Sequence, residues 1–188
     1  MNQRPPSPAS SPPASSPSSS SSPSSSIKTE EQDVGKFMTW ESLEYRVKVN
    51  YPSNWRVEKG KKSSSTLVIF KSPQEKNPSD ALFESVDISS YNIPTNKTLE
   101  QVMQEGINDL EKKHHDFTLI EIVSTVLAGR QAHRIVYDAD GKRFMGVVMI
   151  EKNKAYQVLY VSEPSKYDSS LPIVQKMIDS FEMTMNKG

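Results

Sequence analysis

The 188-residue chain contains no cysteine, which excludes disulfides, thiolate metal sites and a cysteine nucleophile. No apolar run approaches the roughly 18 residues of a membrane span. Met1-Asn2-Gln3-Arg4 is not followed by the apolar core of a signal peptide. An excess of charge of either sign is also missing, since 23 Lys and Arg meet 23 Asp and Glu. Such a balance gives no field to concentrate nucleic acid or anionic lipid, so no nucleic-acid partner is expected. The short basic run Lys59-Gly60-Lys61-Lys62 reads as a solvated turn. The motifs GxSxG, GxxxxGKS/T, HExxH and GxGxxG are absent, and each absence counts against its own enzyme class. Three histidines are all the neutral-pH acid–base chemistry available outside perturbed carboxylates.

What is abundant lies at the start. Thirteen of residues 1–26 are serine and seven are proline. A stretch with so little apolar surface cannot offset the entropy of ordering it, so residues 1–36 are expected to be a disordered tail and polar lead-in. Residues 37–188 are then expected to form one domain. Ser/Pro runs commonly space a folded domain from an anchor. The expectation is an extracytoplasmic, membrane-tethered protein whose signal or anchor precedes Met1, or a cytoplasmic one if Met1 is the true start. As a flexible coil the 26 residues would reach about 28 Å, and as extended polyproline II roughly 80 Å.

Beyond the tail, periodicity carries the signal. Tyr45, Val47, Val49 and Tyr51 alternate with Arg46, Lys48 and Asn50, a strand with one apolar face that Pro52 ends. Leu67–Phe70 is apolar on both faces, and Phe83, Val86 and Ile88 mark another strand. Thr98 followed three positions later by Gln101 makes a capping box for a helix over 98–115. Its apolar stripe is Leu99, Val102, Met103, Gly106, Ile107 and Leu110. Four strand-like runs follow, at 118–127, 130–138, 142–151 and 154–162. They are separated by turns too short for anything but antiparallel neighbours, Asp140-Gly141 among them. A second helix is expected near 171–183, with Pro172 in its first turn. The fold class is α+β: a largely antiparallel sheet of six or seven strands with helices on both faces, a three-layer α/β/α sandwich.

Several of these pieces together resemble the family of the photosystem II extrinsic protein PsbP and its relatives. That family includes prokaryotic PsbP-like lipoproteins and a nuclear-import GTPase-binding protein of the same fold. The residues are Tyr51-Pro52-Ser53-Asn54-Trp55, Leu127-Ala128-Gly129-Arg130-Gln131-Ala132 with Ile135-Val136-Tyr137, and Ala155–Tyr160 with Met177-Ile178-Asp179-Ser180-Phe181. The resemblance spans about residues 37–183 and rests on scaffold motifs. It implies a non-enzymatic adaptor or assembly domain, extracytoplasmic and often lipid-anchored in prokaryotes. Plant members are linked to manganese or calcium, but no residue pattern here matches a metal motif, and no cofactor is expected.

The individual candidates are few. His114, His115 and Asp116 end the first helix and are the candidate metal ligands, although three successive helical positions converge poorly. His133 reads as a hydrogen-bonded strand residue, and spacing gives no support to a dyad with Glu121 or Asp138. Asp138-Ala139-Asp140-Gly141 reads as a hairpin turn rather than a calcium loop. Asn96 heads a glycosylation sequon whose Thr98 is already needed as a helix cap. Tyr and Trp suit surfaces where an apolar body meets a polar rim, and Trp55, Tyr156, Tyr160 and Tyr167 are the candidate partner- or ligand-binding residues. Trp55, beside a turn, is expected to be partly exposed. The function expected is a monomeric, non-catalytic binding or assembly module with a protein partner. The alternatives are a small-ligand or metal-binding lipoprotein with a cleft between sheet and helix, and a small hydrolase.

Overall fold

Residues 35–73 and 84–184 are described by a computed structural model. The Ser/Pro run, Phe83 and the last four residues lie outside them. In chain order the elements are β1 (Phe37–Ser42), β2 (Val47–Pro52), β3 (Arg56–Lys59), β4 (Thr66–Lys71), β5 (Ser85–Asn92), α1 (Leu99–Lys113), β6 (Thr118–Leu127), β7 (Arg130–Ala139), β8 (Lys142–Glu151), β9 (Lys154–Ser162), α2 (Tyr167–Asp179) and β10 (Glu182–Met183). Seven strands form one antiparallel sheet in the order β3-β4-β5-β9-β8-β7-β6, and β1, β2 and β10 form a small second sheet.

Local chemistry explains the meander. The β6–β7 turn places Ala128 and Gly129 at φ +51° and +73°, and the β7–β8 turn places Asp140 and Gly141 at +52° and +71°. Paired positive φ values are what tight hairpins between right-twisted strands require. Pairing then runs in continuous register along β7, β8 and β9, for example Val136 with Met145 and Met145 with Tyr160.

Because side chains alternate across the sheet, these strands feed two cores. Ala132, Val136, Met145, Val147, Met149, Tyr156, Val158 and Tyr160 pack with Val47, Val49, Phe70, Val174, Met177 and Phe181. Ile135, Tyr137, Ala139, Val148 and Ala155 face the other way and pack with Val102, Met103 and Ile107. Helix α1 therefore covers one face, and α2 with the small sheet covers the other. This is the three-layer arrangement with a seven-stranded sheet that the doubly apolar strands predict.

Two expectations need correction. The second helix begins at Tyr167 and ends at Asp179, so Pro172 lies inside it rather than in its first turn. The early start is anchored by Tyr167 against the Tyr160 ring, 5.5 Å between centroids, and by the Ser170 hydroxyl, which donates to Glu84 at 2.7–2.8 Å. At the other end Phe181 is 2% exposed, and the chain turns from helix into β10, which pairs Glu182 with Lys48. The strand predicted at 45–51 leaves the main sheet for the same reason: its apolar residues pack onto the large sheet from above instead of extending it.

Gly60 marks a close approach in the β3–β4 hairpin. Its N–H donates to the Leu67 carbonyl at 2.9 Å, and a Cβ there would lie 1.7 Å from the Thr66 carbonyl oxygen. The backbone would have to move to admit any side chain. Gly60→Ala should accordingly destabilise the fold by about 1–3 kcal/mol, the usual cost of overpacking, read from urea unfolding midpoints; an unchanged midpoint would contradict the close approach.

Candidate functional site

On the α1 face, the helix does not seal the sheet. Between α1 and strands β7, β8 and β9 lies an open cleft of about 440 Å³. Its walls include Val102, Met103 and Ile107 from α1 and Ile135, Val148 and Leu159 from the sheet. Tyr91, Tyr137 and Phe144 supply the aromatic surface. The Tyr137 and Phe144 rings stack at 4.8 Å, and Phe117 packs on Tyr137 at 5.4 Å. Burial pushes the Tyr137 phenol up to about 12 and raises Tyr91 as well, so both remain neutral hydroxyls. Polar groups at the rim are Gln157, Lys113 and His114. Gly106 lines the cleft from mid-helix, where a Cβ would meet nothing within 4 Å.

A second feature is the pair of sheet edges, which differ sharply. β3 has four residues, three of them charged (Arg56, Glu58 and Lys59). β6 has ten, of which Glu121 alone is charged. That carboxylate accepts two bonds from Arg134, at 3.0 and 3.2 Å. Leu119, Ile120, Ile122 and Val126 are 42%, 48%, 44% and 64% exposed. Edge strands are normally shortened, charged or interrupted, because their unpaired N–H and C=O groups template strand addition. Here a bulge between Leu119 and Glu121 disturbs the start of β6, and the rest pairs regularly with β7.

The residues singled out by sequence fall elsewhere. Trp55 is 7% exposed, which corrects the expected partial exposure: its N–H closes a turn onto Pro52, and the indole packs into the α2-side core. Tyr156, Tyr160 and Tyr167 are 5%, 0% and 7% exposed in that same core. The Tyr160 hydroxyl donates to Glu84 at 3.2 Å, and burial raises its pKa strongly. Of the four, Tyr156 borders an open concavity, between the β1–β2 and β8–β9 turns.

His114, His115 and Asp116 diverge. His114 Nδ1 pairs with Asp140 at 2.8 Å, and His115 is exposed. The Asp116 carboxylate accepts backbone N–H groups of Asp140 and Gly141, which hold its pKa below the usual carboxylate range. No cluster of three or more His, Asp or Glu side chains able to hold a metal occurs among the described residues. These contacts instead tie the end of α1 to the β7–β8 hairpin. His133 faces α1, with Nε2 3.6 Å from Glu100 and Nδ1 buried without a partner. Glu121 and Asp138 pair with Arg134 and Arg143 on the opposite face, so no dyad forms with His133. Asn96 is exposed in the loop before α1. No helix among the described residues is long and apolar enough to cross a membrane.

Sequence reasoning allowed for a cleft between sheet and helix but placed none of its candidate aromatics in it, and it missed the edge. A glycine inside the α1 stripe was one available signal, since mid-helix glycine costs about 1 kcal/mol relative to alanine. The other was β6, apolar on both faces yet last in its sheet, a position that only the strand order reveals.

The described residues thus form a three-layer domain with an antiparallel central sheet, an apolar cleft and an open apolar edge. The model of the PsbP-like protein family matches residues 14–183, and the chain belongs to that family. No curated protein matches the sequence. Among solved structures, cyanobacterial PsbP of Synechocystis is 15% identical, with a TM-score of 0.60 over 81% of this chain and 95% of its own. Mycobacterium tuberculosis LpqN, described as involved in cell envelope biogenesis, is 13% identical, with a TM-score of 0.56 over 82% and 88%. The Saccharomyces cerevisiae Ran-binding protein Mog1p is 10% identical, with a TM-score of 0.54 over 79% and 96%. At these identities the likeness is one of fold.

Two outcomes follow from the α1 geometry. Gly106→Ala should raise the unfolding free energy by about 1 kcal/mol in urea titrations, because the new methyl meets open space. Asp116 has a depressed folded-state pKa, so its tie is present above the unfolded-state value near ~3.9 and disappears as pH falls through the folded value. Asp116→Ala should therefore speed amide exchange at Asp140 and Gly141 at neutral pH. The difference from the unmodified protein should vanish once Asp116 is protonated.

Proposed function

We propose that this PsbP-like domain is a non-catalytic binding and assembly module whose edge strand β6 takes an extended segment of a protein partner. The observation that carries the reading is the contrast between the two sheet edges. β3 has the short, charged form that resists pairing, whereas β6 presents ten residues with exposed Leu119, Ile120, Ile122 and Val126. Strand addition supplies affinity through main-chain hydrogen bonds, and alternate side chains supply specificity. With Glu121 neutralised by Arg134, the strand suits a segment of alternating apolar residues and little charge. Mog1p, a Ran-binding protein of the same fold, supports a protein partner for such a scaffold. In this reading the domain is extracytoplasmic, held off an anchor by the Ser/Pro run; LpqN, involved in cell envelope biogenesis, supports that setting.

A second reading is favoured by the cleft beside α1. Its volume of about 440 Å³ falls in the usual range for small-molecule sites, and the Tyr91 and Tyr137 phenols, Gln157, Lys113 and His114 border its apolar walls. A small apolar ligand with hydrogen-bonding groups would fit there. A melting temperature that climbs with ligand concentration and is insensitive to β6 substitutions would favour this reading over the first.

The leading reading is tested in cells by a photo-crosslinking residue at position 126. A partner segment should be trapped there, and Ile122→Lys placed beside the crosslinker should remove the product. Because Ile122 is 44% exposed, the substitution should change stability by no more than about 0.5 kcal/mol. Trapping that survives the lysine, or a product consisting only of a second copy of this chain, would overturn the proposal.

A further inference from the structure

The concavity bordered by Tyr156 has a volume of about 550 Å³ and is rimmed by Arg46, Arg130, Lys152 and Lys154. Glu44 and Glu151 also line it, leaving two more positive than negative side chains at this place on a chain of zero net charge. Glu151 is matched to Arg130 at 2.5 Å, and Arg130 also donates to the Ala128 carbonyl at 3.3 Å. The Lys154 ammonium lies 5.6 Å from the centre of the Tyr45 ring. Arg46 and Lys152 are exposed and form no salt bridge among the described residues.

The backbone at those two residues is unusual. Arg46 has φ +55° and Lys152 has φ +58°. This left-handed region favours glycine and asparagine and is costly for long side chains. The β6–β7 and β7–β8 hairpins hold Ala128 and Asp140 in the same conformation, each followed by a glycine that shares it. At the β1–β2 and β8–β9 turns, positions best suited to Gly or Asn hold cations instead, and both cations open on one bowl. Non-glycine residues held in this conformation gather at functional sites.

We propose that this bowl is a docking site for an acidic peptide segment of a protein partner, whose carboxylates are taken by Arg46, Lys152 and Lys154 and whose apolar side chain rests on Tyr45, Tyr156 and Met183. The shape selects a peptide over a compact anion. The opening is far larger than a phosphate, and no helix N-terminus borders it. Glu44 on the rim opposes a dense negative charge, while the aromatic and thioether surface offers apolar contact. The surplus of two positive charges around the opening would also steer an acidic segment by long-range attraction, an effect that salt screens. The bowl uses none of the exposed β6 side chains, so this inference does not depend on the strand-addition reading.

The test uses the full chain, with backbone amide resonances followed by NMR. The probes are the capped peptide acetyl-Asp-Phe-Asp-Glu-amide, its neutral analogue acetyl-Asn-Phe-Asn-Gln-amide, and inorganic pyrophosphate. The acidic peptide should shift resonances at residues 44–46 and 151–156, less so as salt is raised, and the neutral analogue should not. The double variant Arg46→Asn, Lys152→Asn should weaken peptide binding by about tenfold. It should also raise the melting temperature by about 2–4 °C, because asparagine accepts the left-handed conformation more readily. Gain of stability with loss of binding is the expected signature. Peptide shifts that are absent or equal for the neutral analogue, pyrophosphate bound more tightly than the peptide, or a lowered melting temperature would each overturn the inference. Ile122→Lys should leave peptide binding unchanged, which separates failure here from failure of the β6 reading.

Discussion

Strands β8 and β9 belong to two cores at once, and the rest of the domain depends on that double burial. Met145, Val147 and Met149 look toward α2, while Val148 looks toward α1; Tyr156, Val158 and Tyr160 repeat the first pattern and Ala155 the second. Since side chains alternate with a period of two, a slip of one residue would exchange the two sets. Met145, Met149, Tyr156 and Tyr160 would then be turned beneath α1, and Phe144, Val148 and Ala155 toward α2. The two differently shaped sets therefore fix the register, and the register fixes where each helix docks. Fully burying a Val, Leu or Phe side chain is worth about 1.5–3 kcal/mol, so the wrong register would forfeit several such contributions together.

The polar groups inside this arrangement are consistent with the same constraint. Glu84 accepts from Tyr160 and from Ser170, which pins the start of α2 to β9. Arg143 forms two hydrogen bonds with Asp138 and lies 5.5 Å from the Tyr167 ring. A buried or half-buried polar group left unmatched would cost more than the matched pair contributes. These networks place elements and satisfy donors, and none of them gathers a nucleophile, a base and a donor set around an open cavity. Two concavities open among the described residues, one beside α1 with mainly apolar walls and one at Tyr156 where cations, two glutamates and aromatic surface mix.

Local signals were legible to the extent that they decide a structure by themselves. The capping box at Thr98 and Gln101 is present in both directions, at 3.2 and 2.9 Å, and α1 runs to Lys113 as its stripe requires. The Asp140-Gly141 turn and the four-strand meander likewise need only neighbours in sequence. What escaped was set by contacts between distant segments. Nothing in the pattern of residues 45–51 says whether that strand extends the large sheet or lies across it; Val47 and Val49 alternate identically in either case. Trp55 follows a proline turn, as surface residues often do, yet the turn folds it inward. Large aromatics are also the best fillers of a two-sided core, and Trp55, Tyr160 and Tyr167 serve there, while Tyr156 both packs in that core and borders the open bowl.

The surfaces left over by this packing are informative because the interior is so fully specified. An interior strand must be apolar on both faces to serve two cores, but an edge strand with no further neighbour has no such need. β6 nevertheless keeps apolar residues on both faces, and its one charge is held by Arg134. A turn needs only the right φ, and glycine or asparagine supplies it without strain. Arg46 and Lys152 supply charge there as well. In both places the sequence departs from what stability alone would select, and in both the departure adds binding chemistry to an exposed surface. Stability and local propensity agree through most of the domain, and sites where they disagree are where function is expected to lie. By that criterion the β6 edge and the cationic bowl are the surfaces on which we propose that partners dock.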